Sequence, residues 1–237
     1  MEWTRFEAVL FDLDGVVTPT AEVHMRAWSL MFTDFLEREG GGQPPYTDAD
    51  YFTHVDGKPR YEGVASFLAS RRIDLPYGDP GDAPDAETVC GLGNRKNAAF
   101  GQVLRDEGVT AYPGSVALLD VLRERRTPMA IVSSSQNAGA VLAAAGVTHY
   151  FETVMDGGVA RDRGLAGKPA PDTFVAAAAD LGAAPGESVV LEDAISGVRA
   201  GAAGGFALVI GVDRGVGEAA LAEAGAGLVV TDLGELL

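Results

Sequence analysis

The 237-residue chain is 47% hydrophobic and 22% charged, a globular composition, and its net charge of −16 argues against a nucleic-acid-binding protein, which needs a basic face. A single cysteine, Cys90, rules out an internal disulfide framework and a cysteine-based zinc site. The N-terminus lacks a basic segment followed by an apolar one, and no apolar run reaches membrane-spanning length, so we expect a cytoplasmic protein without membrane or nucleic-acid partners.

The first predicted element is a strand, AVLF (8–11), because its apolar run is unbroken, as in strands buried on both faces. Residues 20–100 then depart from the strand pattern. Helical spacing of apolar residues predicts helices over 22–39, 60–71 and 93–107. In the first of these the predicted apolar stripe consists of Val23, Ala27, Leu30, Met31 and Phe35. Residues 72–88, rich in Pro, Gly and Asp, predict an irregular loop.

Strands and helices alternate in the rest of the chain. Unbroken apolar runs predict strands at MAIVS (129–133), SVVLE (188–192), FALVIGV (206–212) and GLVV (227–230). Capping and periodicity predict helices from Pro113 to 125, from Asn137 to Gly146, from Pro171 to Gly182, and shortly after Ser196. We therefore predict an α/β fold: a doubly wound, mostly parallel core domain of residues 1–19 and 101–237, with a small all-helical domain, 20–100, inserted after the first strand.

Two acidic pairs follow predicted strands. Asp12 and Asp14 come directly after AVLF, and Glu192 and Asp193 end the run SVVLED. In open α/β sheets ligands bind outside the carboxyl ends of the strands, where both pairs would lie. Adjacent carboxylates repel each other unless a cation or a proton lies between them, and carboxylate oxygens suit Mg²⁺ when the substrate carries phosphate. The pairs therefore favour a Mg²⁺ site; the alternative for each pair is a solvent-exposed turn.

Two further strand-end features are typical of phosphate binding. Ser133, Ser134 and Ser135 lie between a predicted strand and a predicted helix, where hydroxyl and backbone N–H groups can bind phosphate oxygens. Lys168, in GKPAPD, lies between a glycine-containing loop and a helix, a suitable place for a cation that binds phosphate. Taken alone, a lysine in a loop is most often a solvated charge.

These motifs together resemble the haloacid dehalogenase superfamily of phosphotransferases. The resemblance rests on DLDGV (12–16), the serine-bearing strand end, the lysine before proline and LED (191–193), which occur in the family's order across nearly the whole chain. Within the superfamily the chain is similar to the β-phosphoglucomutase-like subfamily. That narrower likeness rests on 11–28, VDGKPR (55–60), GNRKN (93–97), GKPAPDTF (167–174) and LEDAISG (191–197).

The resemblance implies roles for the core residues. Asp12 would be the nucleophile that becomes an aspartyl-phosphate, and Asp14 the general acid and base. The Mg²⁺ ligands would be Asp12, Asp14 through its backbone carbonyl, Glu192 and Asp193. Ser133 and Lys168 would bind the phosphoryl group that is transferred.

The resemblance also implies roles outside the strand ends. Arg60, with Gly57 in the same motif, would bind the second, non-reacting phosphate together with Ser135 and Asn137. Lys96 would reach the boundary between the helical insert and the core. Thr20 and His24 match hinge positions that help to steer Asp14. For a single Arg, Lys or His in such a helix, the alternative is a solvated charge or a structural side chain.

The implied activity is phosphoryl transfer on a small sugar phosphate by a Mg²⁺-dependent monomer. A mutase passes the phosphoryl group to a sugar hydroxyl and a phosphatase passes it to water. We favour a β-phosphoglucomutase, which converts β-D-glucose 1-phosphate to D-glucose 6-phosphate through the 1,6-bisphosphate; the alternative is a sugar-phosphate phosphatase. Gln136, where such mutases often carry a basic residue, leaves room for the alternative. A silent binding protein or a dehalogenase is disfavoured, because both acids of the first motif are present.

Overall fold

The computed structural model describes residues 1–38 and 42–237. The chain forms two compact units, which we call the sheet unit (Met1–Thr20 and Val109–Leu237) and the helical unit (Ala21–Gly108). In the sequence the helical unit falls between the first and second strands. Its end lies beyond the predicted residue 100, because one helix continues through Glu107.

In the described part of the chain, four helices precede residue 109 in the segment between the first two strands. They are α1 (Thr20–Arg38), the single turn α2 (Asp48–Asp50), α3 (Arg60–Ser70) and α4 (Val89–Glu107), with a π-helical turn, Tyr51–Val55, after α2. The predicted last residue of the first helix, Glu39, lies outside the described residues. Helix α4 begins earlier than predicted because the Thr88 hydroxyl accepts a hydrogen bond from the Gly91 N–H and caps it.

The core of the helical unit is aromatic, and it corrects the predicted stripe on α1 at Leu30 and Val23. Trp28 and Phe32 stack with ring centroids 5.4 Å apart, and Phe32 also lies against Phe67 of α3. Leu30, which we predicted on the buried stripe, is 59% exposed. Ala27, Met31 and Phe35 of the predicted stripe are buried as predicted, whereas Val23 is only partly buried and the buried face extends instead to residues 24, 28 and 32.

The loop 72–88 is irregular, as predicted, and side chains of α4 bind its backbone. The Asn94 amide donates hydrogen bonds to the carbonyls of Pro80 and Asp82, at 3.0 and 2.9 Å. The Arg95 guanidinium donates to the Pro84 carbonyl at 2.7 Å. Two residues of the GNRKN motif therefore anchor this loop.

Within the described residues, six parallel strands form the sheet, in the order β3-β2-β1-β4-β5-β6. They are β1 (Ala8–Phe11), β2 (Met129–Val132), β3 (Thr153–Met155), β4 (Ser188–Glu192), β5 (Leu208–Val212) and β6 (Leu228–Val230). The predicted parallel α/β fold is confirmed. Strand β3 was not predicted, because it has only three residues and two of them are half-exposed.

Helices cover both faces of the sheet. They are α5 (Pro113–Glu124), α6 (Ala138–Ala144), α7 (Gly157–Asp162), α8 (Asp172–Asp180), α9 (Ile195–Ala203) and α10 (Glu218–Ala224). On one face Leu10 and its neighbours pack with Phe174 of α8 and Leu221 of α10. On the other face Val9 and Ile131 are also fully buried, which explains why the strand sequences are unbroken apolar runs. Among the described residues, no helix combines the length and apolarity that crossing a membrane requires.

Candidate active site

The register of the sheet brings predicted site residues into one row at its carboxyl edge. Strand β1 pairs in parallel with both β2 and β4. One residue beyond the paired positions of β1, Asp12 therefore lies between Val132 and Glu192. The Asp12 N–H donates to the Leu191 carbonyl at 2.9 Å, which continues the ladder and fixes the backbone of Asp12.

Lys168 connects these three strand ends. Its ammonium donates to Asp12 Oδ1 at 2.6 Å, to Glu192 Oε1 at 2.6 Å and to the Val132 carbonyl at 2.9 Å. The residue is only 3% exposed. Because an ammonium group has three N–H donors, all of them are used in this arrangement. A phosphate that binds Lys168 must therefore replace one of these acceptors.

Burial and neighbouring charges both shift the pKa values of Asp12 and Lys168. Burial raises the pKa of the Asp12 carboxyl, Lys168 opposes the rise, and the charges of Glu192 and Asp14 add to it. Burial by itself would lower the pKa of the Lys168 ammonium, but the two carboxylates outweigh burial and raise it. The ammonium therefore stays protonated and supplies the positive charge of the cluster.

Asp14 lies in a closed turn directly after Asp12. The Gly15 N–H donates to the Thr18 carbonyl at 2.7 Å, and the Thr18 N–H donates to the Leu13 carbonyl at 3.0 Å. The Thr20 hydroxyl donates to Asp14 Oδ1 and lies 2.8 Å from the Thr18 hydroxyl. Thr20, which the resemblance places among the residues that steer Asp14, therefore contacts the Asp14 carboxyl.

The donors at this edge fit a hard divalent ion. A Cβ on Gly15 would lie 1.9 Å from Asp193 Oδ2, so the carboxylate of Asp193 lies against the turn that carries Asp14. Within 1–38 and 42–237, no three His, Cys, Asp or Glu side chains are gathered to hold a metal ion by themselves. Mg²⁺ commonly takes one or two carboxylates and completes its shell with water and substrate phosphate, which this donor set allows.

Glu192 already has a partner on each carboxylate oxygen. Besides the contact of Oε1 with Lys168, Oε2 accepts a hydrogen bond from the Ala194 N–H at 2.7 Å. The residue is 1% exposed. Because each carboxylate oxygen has a second lone pair, these hydrogen bonds leave Glu192 able to bind a metal ion, as the family resemblance implies.

Gly197, in the first turn of α9, leaves the space that the Glu192 carboxylate occupies, since a Cβ there would lie 1.7 Å from Oε1. Gly197→Ala should displace Glu192 and lower the free energy of unfolding by about 1–3 kcal/mol, together with the activity. The matched control is Gly139→Ala in α6, where nothing lies within 4 Å of the new Cβ. Helix propensity predicts that the control is neutral or stabilised by up to about 1 kcal/mol. Urea unfolding measures both, and equal stability of the two variants would contradict this account of Gly197.

The serine loop after β2 is closed by its own side chains. Ser133 Oγ accepts a hydrogen bond from the Ser135 N–H, and Ser135 Oγ accepts one from the Asn137 N–H, both at 3.1 Å. Ser134 lies between the two serines and is half-buried. Asn137 precedes α6 as predicted, but its side chain forms no capping hydrogen bond. Because β2 ends at Val132, this loop begins at the same edge of the sheet as Asp12.

Two predicted phosphate-binding residues lie at the start of α3 in the helical unit. Arg60 is the first residue of α3; its guanidinium donates to the Tyr61 hydroxyl at 3.1 Å and lies 4.9 Å from the centroid of that ring. Gly57, in the turn before α3, has a φ of +68°. The half-buried Arg60 is thus oriented by its neighbour.

His24 and Lys96 form a buried pair inside the helical unit. The Lys96 ammonium contacts His24 Nδ1 and lies 4.9 Å from the Trp28 ring centroid and 5.1 Å from that of Phe100. His24 stacks on Phe100 with centroids 4.0 Å apart. Aromatic faces therefore stabilise the Lys96 charge.

One residue that sequence reasoning did not single out lies at the same edge as Asp14. Arg214 follows β5 by two residues and donates to the Gly15 carbonyl at 2.7 Å. The signal in the sequence was weak, because a lone arginine in a glycine-containing loop is usually a solvated charge. Its position just after a predicted strand was the only indication.

A buried carboxylate paired with a lysine, beside a second carboxylate at the carboxyl edge of a parallel sheet, is typical of α/β enzymes that use an aspartate as nucleophile. The chain belongs to the haloacid dehalogenase-like hydrolase family, whose sequence model matches residues 6–205.

Relatives of the chain include both mutases and phosphatases. It is 48% identical over 242 residues to a β-phosphoglucomutase of Mycobacterium tuberculosis, which covers 98% of this chain and 92% of that protein. It is 30% identical over 208 residues to the fructose-1-phosphate phosphatase YqaB of Escherichia coli, covering 86% of this chain and 95% of that protein. The fold is similar to the crystal structure of a β-phosphoglucomutase from Clostridium difficile, with a TM-score of 0.79, 24% identity, and coverage of 98% of this chain and 93% of that one.

Proposed function

We propose that the protein transfers a phosphoryl group through an aspartyl-phosphate on Asp12, and that it converts β-D-glucose 1-phosphate to D-glucose 6-phosphate through the 1,6-bisphosphate. The observation that carries the chemistry is the buried contact of Asp12 with Lys168, beside Asp14, at the carboxyl edge of the sheet. The similarity of nearly the whole chain to a β-phosphoglucomutase supports the choice of substrate.

We propose a separate task for each of the two oxygens of the Asp12 carboxyl. Lys168 binds Asp12 Oδ1, whereas Oδ2 accepts no hydrogen bond in the part of the chain that the structure describes, so we propose that Oδ2 attacks phosphorus. Asp14 then protonates the leaving oxygen, and in the next step it takes the proton of the acceptor hydroxyl. Lys168 and Ser133 bind the equatorial phosphate oxygens, which concentrates positive charge where negative charge develops.

We propose that Mg²⁺ is held by the carboxylates of Asp12 and Asp193 and by the Asp14 carbonyl, with Glu192 as a further ligand. When bound, the ion supplies charge neutralisation between the attacking carboxylate and the phosphate. By accepting a hydrogen bond from Lys168, Glu192 also keeps the ammonium beside Asp12.

One reaction separates the mutase from the phosphatase. Purified protein is given β-D-glucose 1-phosphate, Mg²⁺ and a trace of the 1,6-bisphosphate, and glucose 6-phosphate and free phosphate are measured together. We expect glucose 6-phosphate without matching phosphate release. Stoichiometric phosphate release would instead support the sugar-phosphate phosphatase, the second candidate, which the similarity to YqaB favours. Absence of both products, with turnover of other phosphate esters, would overturn the choice of sugar.

Arg60 tests whether a second phosphate is bound. Arg60→Ala should lower the mutase kcat/KM by about 100-fold, because a mutase substrate carries the non-reacting phosphate that this guanidinium is proposed to bind. Hydrolysis of acetyl phosphate, which has a single phosphate, should change less than threefold. The matched control is Arg26→Ala, which removes an exposed arginine of the helical unit and should change neither rate. If Arg60→Ala lowers the mutase reaction and the hydrolysis of acetyl phosphate equally, Arg60 does not bind the second phosphate.

We keep the monomeric state and the cytoplasmic location as predictions. Light scattering of the purified protein measures the first and cell fractionation the second.

A further inference from the structure

Arg214 is bound on three sides at the carboxyl edge of the sheet. Its Nε donates to the Gly15 carbonyl at 2.7 Å, and its Nη1 donates to the Thr231 carbonyl at 2.9 Å. The guanidinium carbon lies 4.0 Å from the centroid of the Tyr112 ring, a close cation–π contact. These partners come from three separate parts of the sheet unit, so the guanidinium has one fixed position.

The loop that carries Arg214 is itself ordered. Oδ1 of Asp213 accepts hydrogen bonds from the N–H groups of Gly215 and Gly217, at 2.8 and 3.0 Å. These hydrogen bonds lower the pKa of the Asp213 carboxyl, so it is ionised at neutral pH. The Asp213 N–H donates to the Val230 carbonyl at 2.8 Å, which joins the loop to β6. Arg214 is thus held in place before any ligand binds.

Gly15 accepts the hydrogen bond from Arg214 through its carbonyl. It has a φ of +88°, and its Cα faces the Asp193 carboxylate so closely that no side chain fits. Its N–H is bound to the Thr18 carbonyl and its carbonyl to Arg214, so the peptide groups on both sides of Gly15 are fixed. Because Asp14 immediately precedes Gly15, the orientation of Asp14 depends on this glycine.

We propose that Arg214 is a positioning residue for general acid catalysis: by binding the Gly15 carbonyl, it keeps the Asp14 carboxyl at the distance from which it protonates the leaving oxygen. This inference rests on the proposed function. In the step concerned, the Asp12 carboxylate forms a bond to phosphorus while the bond from phosphorus to the leaving oxygen breaks. The leaving oxygen takes the proton of Asp14, which becomes a carboxylate.

The leaving group separates this role from a merely structural one. The alkoxide of a sugar is a poor leaving group and needs the proton of Asp14, whereas acetate leaves acetyl phosphate as a stable anion. The parameter kcat/KM reports only the steps up to phosphorylation of Asp12. A misplaced Asp14 therefore lowers kcat/KM for a sugar phosphate and spares it for acetyl phosphate, whereas a damaged fold lowers both.

The test compares the second-order rate constants with which β-D-glucose 1,6-bisphosphate and acetyl phosphate, each with Mg²⁺, phosphorylate the protein, measured by intact mass after acid quenching. For Arg214→Ala we expect a fall of about 100-fold with the sugar phosphate and less than about threefold with acetyl phosphate. Arg214→Lys, which can reach one carbonyl but not both, should lie between the wild type and Arg214→Ala with the sugar phosphate. The matched control, Arg123→Ala, removes an exposed arginine from the ring of Tyr150 and should behave as wild type.

The outcomes separate the two proposals. Equal losses with both substrates, or no loss with either, would overturn the role of Arg214 and leave the proposed function standing. Failure of both substrates to phosphorylate the wild-type protein would overturn the proposed function, and this inference with it. If Arg214→Ala unfolds, the ratio of the two losses in Arg214→Lys decides in the same way.

Discussion

Asp12→Asn should abolish turnover of every phosphate substrate, with a fall in kcat of at least about 10⁴-fold. The amide has nearly the shape of the carboxylate and can still accept a hydrogen bond from Lys168, so the fold should be retained. It carries no negative charge with which to attack phosphorus, and no acyl phosphate can form on it. The measurement is phosphate release from acetyl phosphate and formation of glucose 6-phosphate.

The control for Asp12→Asn is Asp162→Asn, which neutralises an exposed carboxylate on α7 and should keep full activity. Intact mass must show that the asparagine has not deamidated, because a few per cent of restored aspartate would simulate residual activity. A loss smaller than tenfold in verified Asp12→Asn would show that another group is the nucleophile. Trapping of a phosphorylated wild-type chain that is absent in the variant would locate the intermediate on Asp12.

Lys168→Met should destabilise the protein by about 3–5 kcal/mol and lower kcat by at least about 10³-fold. The substitution removes the ammonium and leaves Asp12 and Glu192 as neighbouring buried carboxylates with no counter-ion. Urea unfolding in EDTA measures the effect, since a divalent ion could otherwise replace the missing charge. The double variant Lys168→Met/Glu192→Gln should recover part of the stability, because it removes one of the two charges, but it should not recover the activity.

The pH dependence provides a second readout for Lys168→Met. In wild type, Lys168 opposes the rise in the pKa of Asp12 that burial, Glu192 and Asp14 cause. Without the ammonium that pKa rises further above its unfolded value, so the folded variant binds more protons than the unfolded chain at intermediate pH. Its free energy of unfolding should therefore fall, relative to wild type, as the pH rises from about 5 to about 8. A constant difference between the two proteins over that range would contradict the unpaired-carboxylate explanation.

The sequence by itself determined most of the fold and the position of the chemistry along the chain. An unbroken apolar run such as AVLF is stable only where both faces are covered, so it predicted a buried parallel strand. Acids placed directly after two such runs had to lie at one edge of the sheet, which located Asp12 and Glu192. These inferences succeeded because they depend on local pattern and on a general rule of parallel sheets.

Only the tertiary structure decided which partners these residues have. Lys168 binds Asp12 across 156 residues of sequence, and Arg214 binds Gly15 across 199. Such contacts depend on strand order and register, which no local pattern encodes. The same holds for the edge of the buried face of α1: apolar spacing includes Leu30, whereas the aromatic packing around Phe32 leaves Leu30 exposed. Local periodicity indicates which faces of a helix can be buried. The element that packs on the helix determines which of its residues are buried.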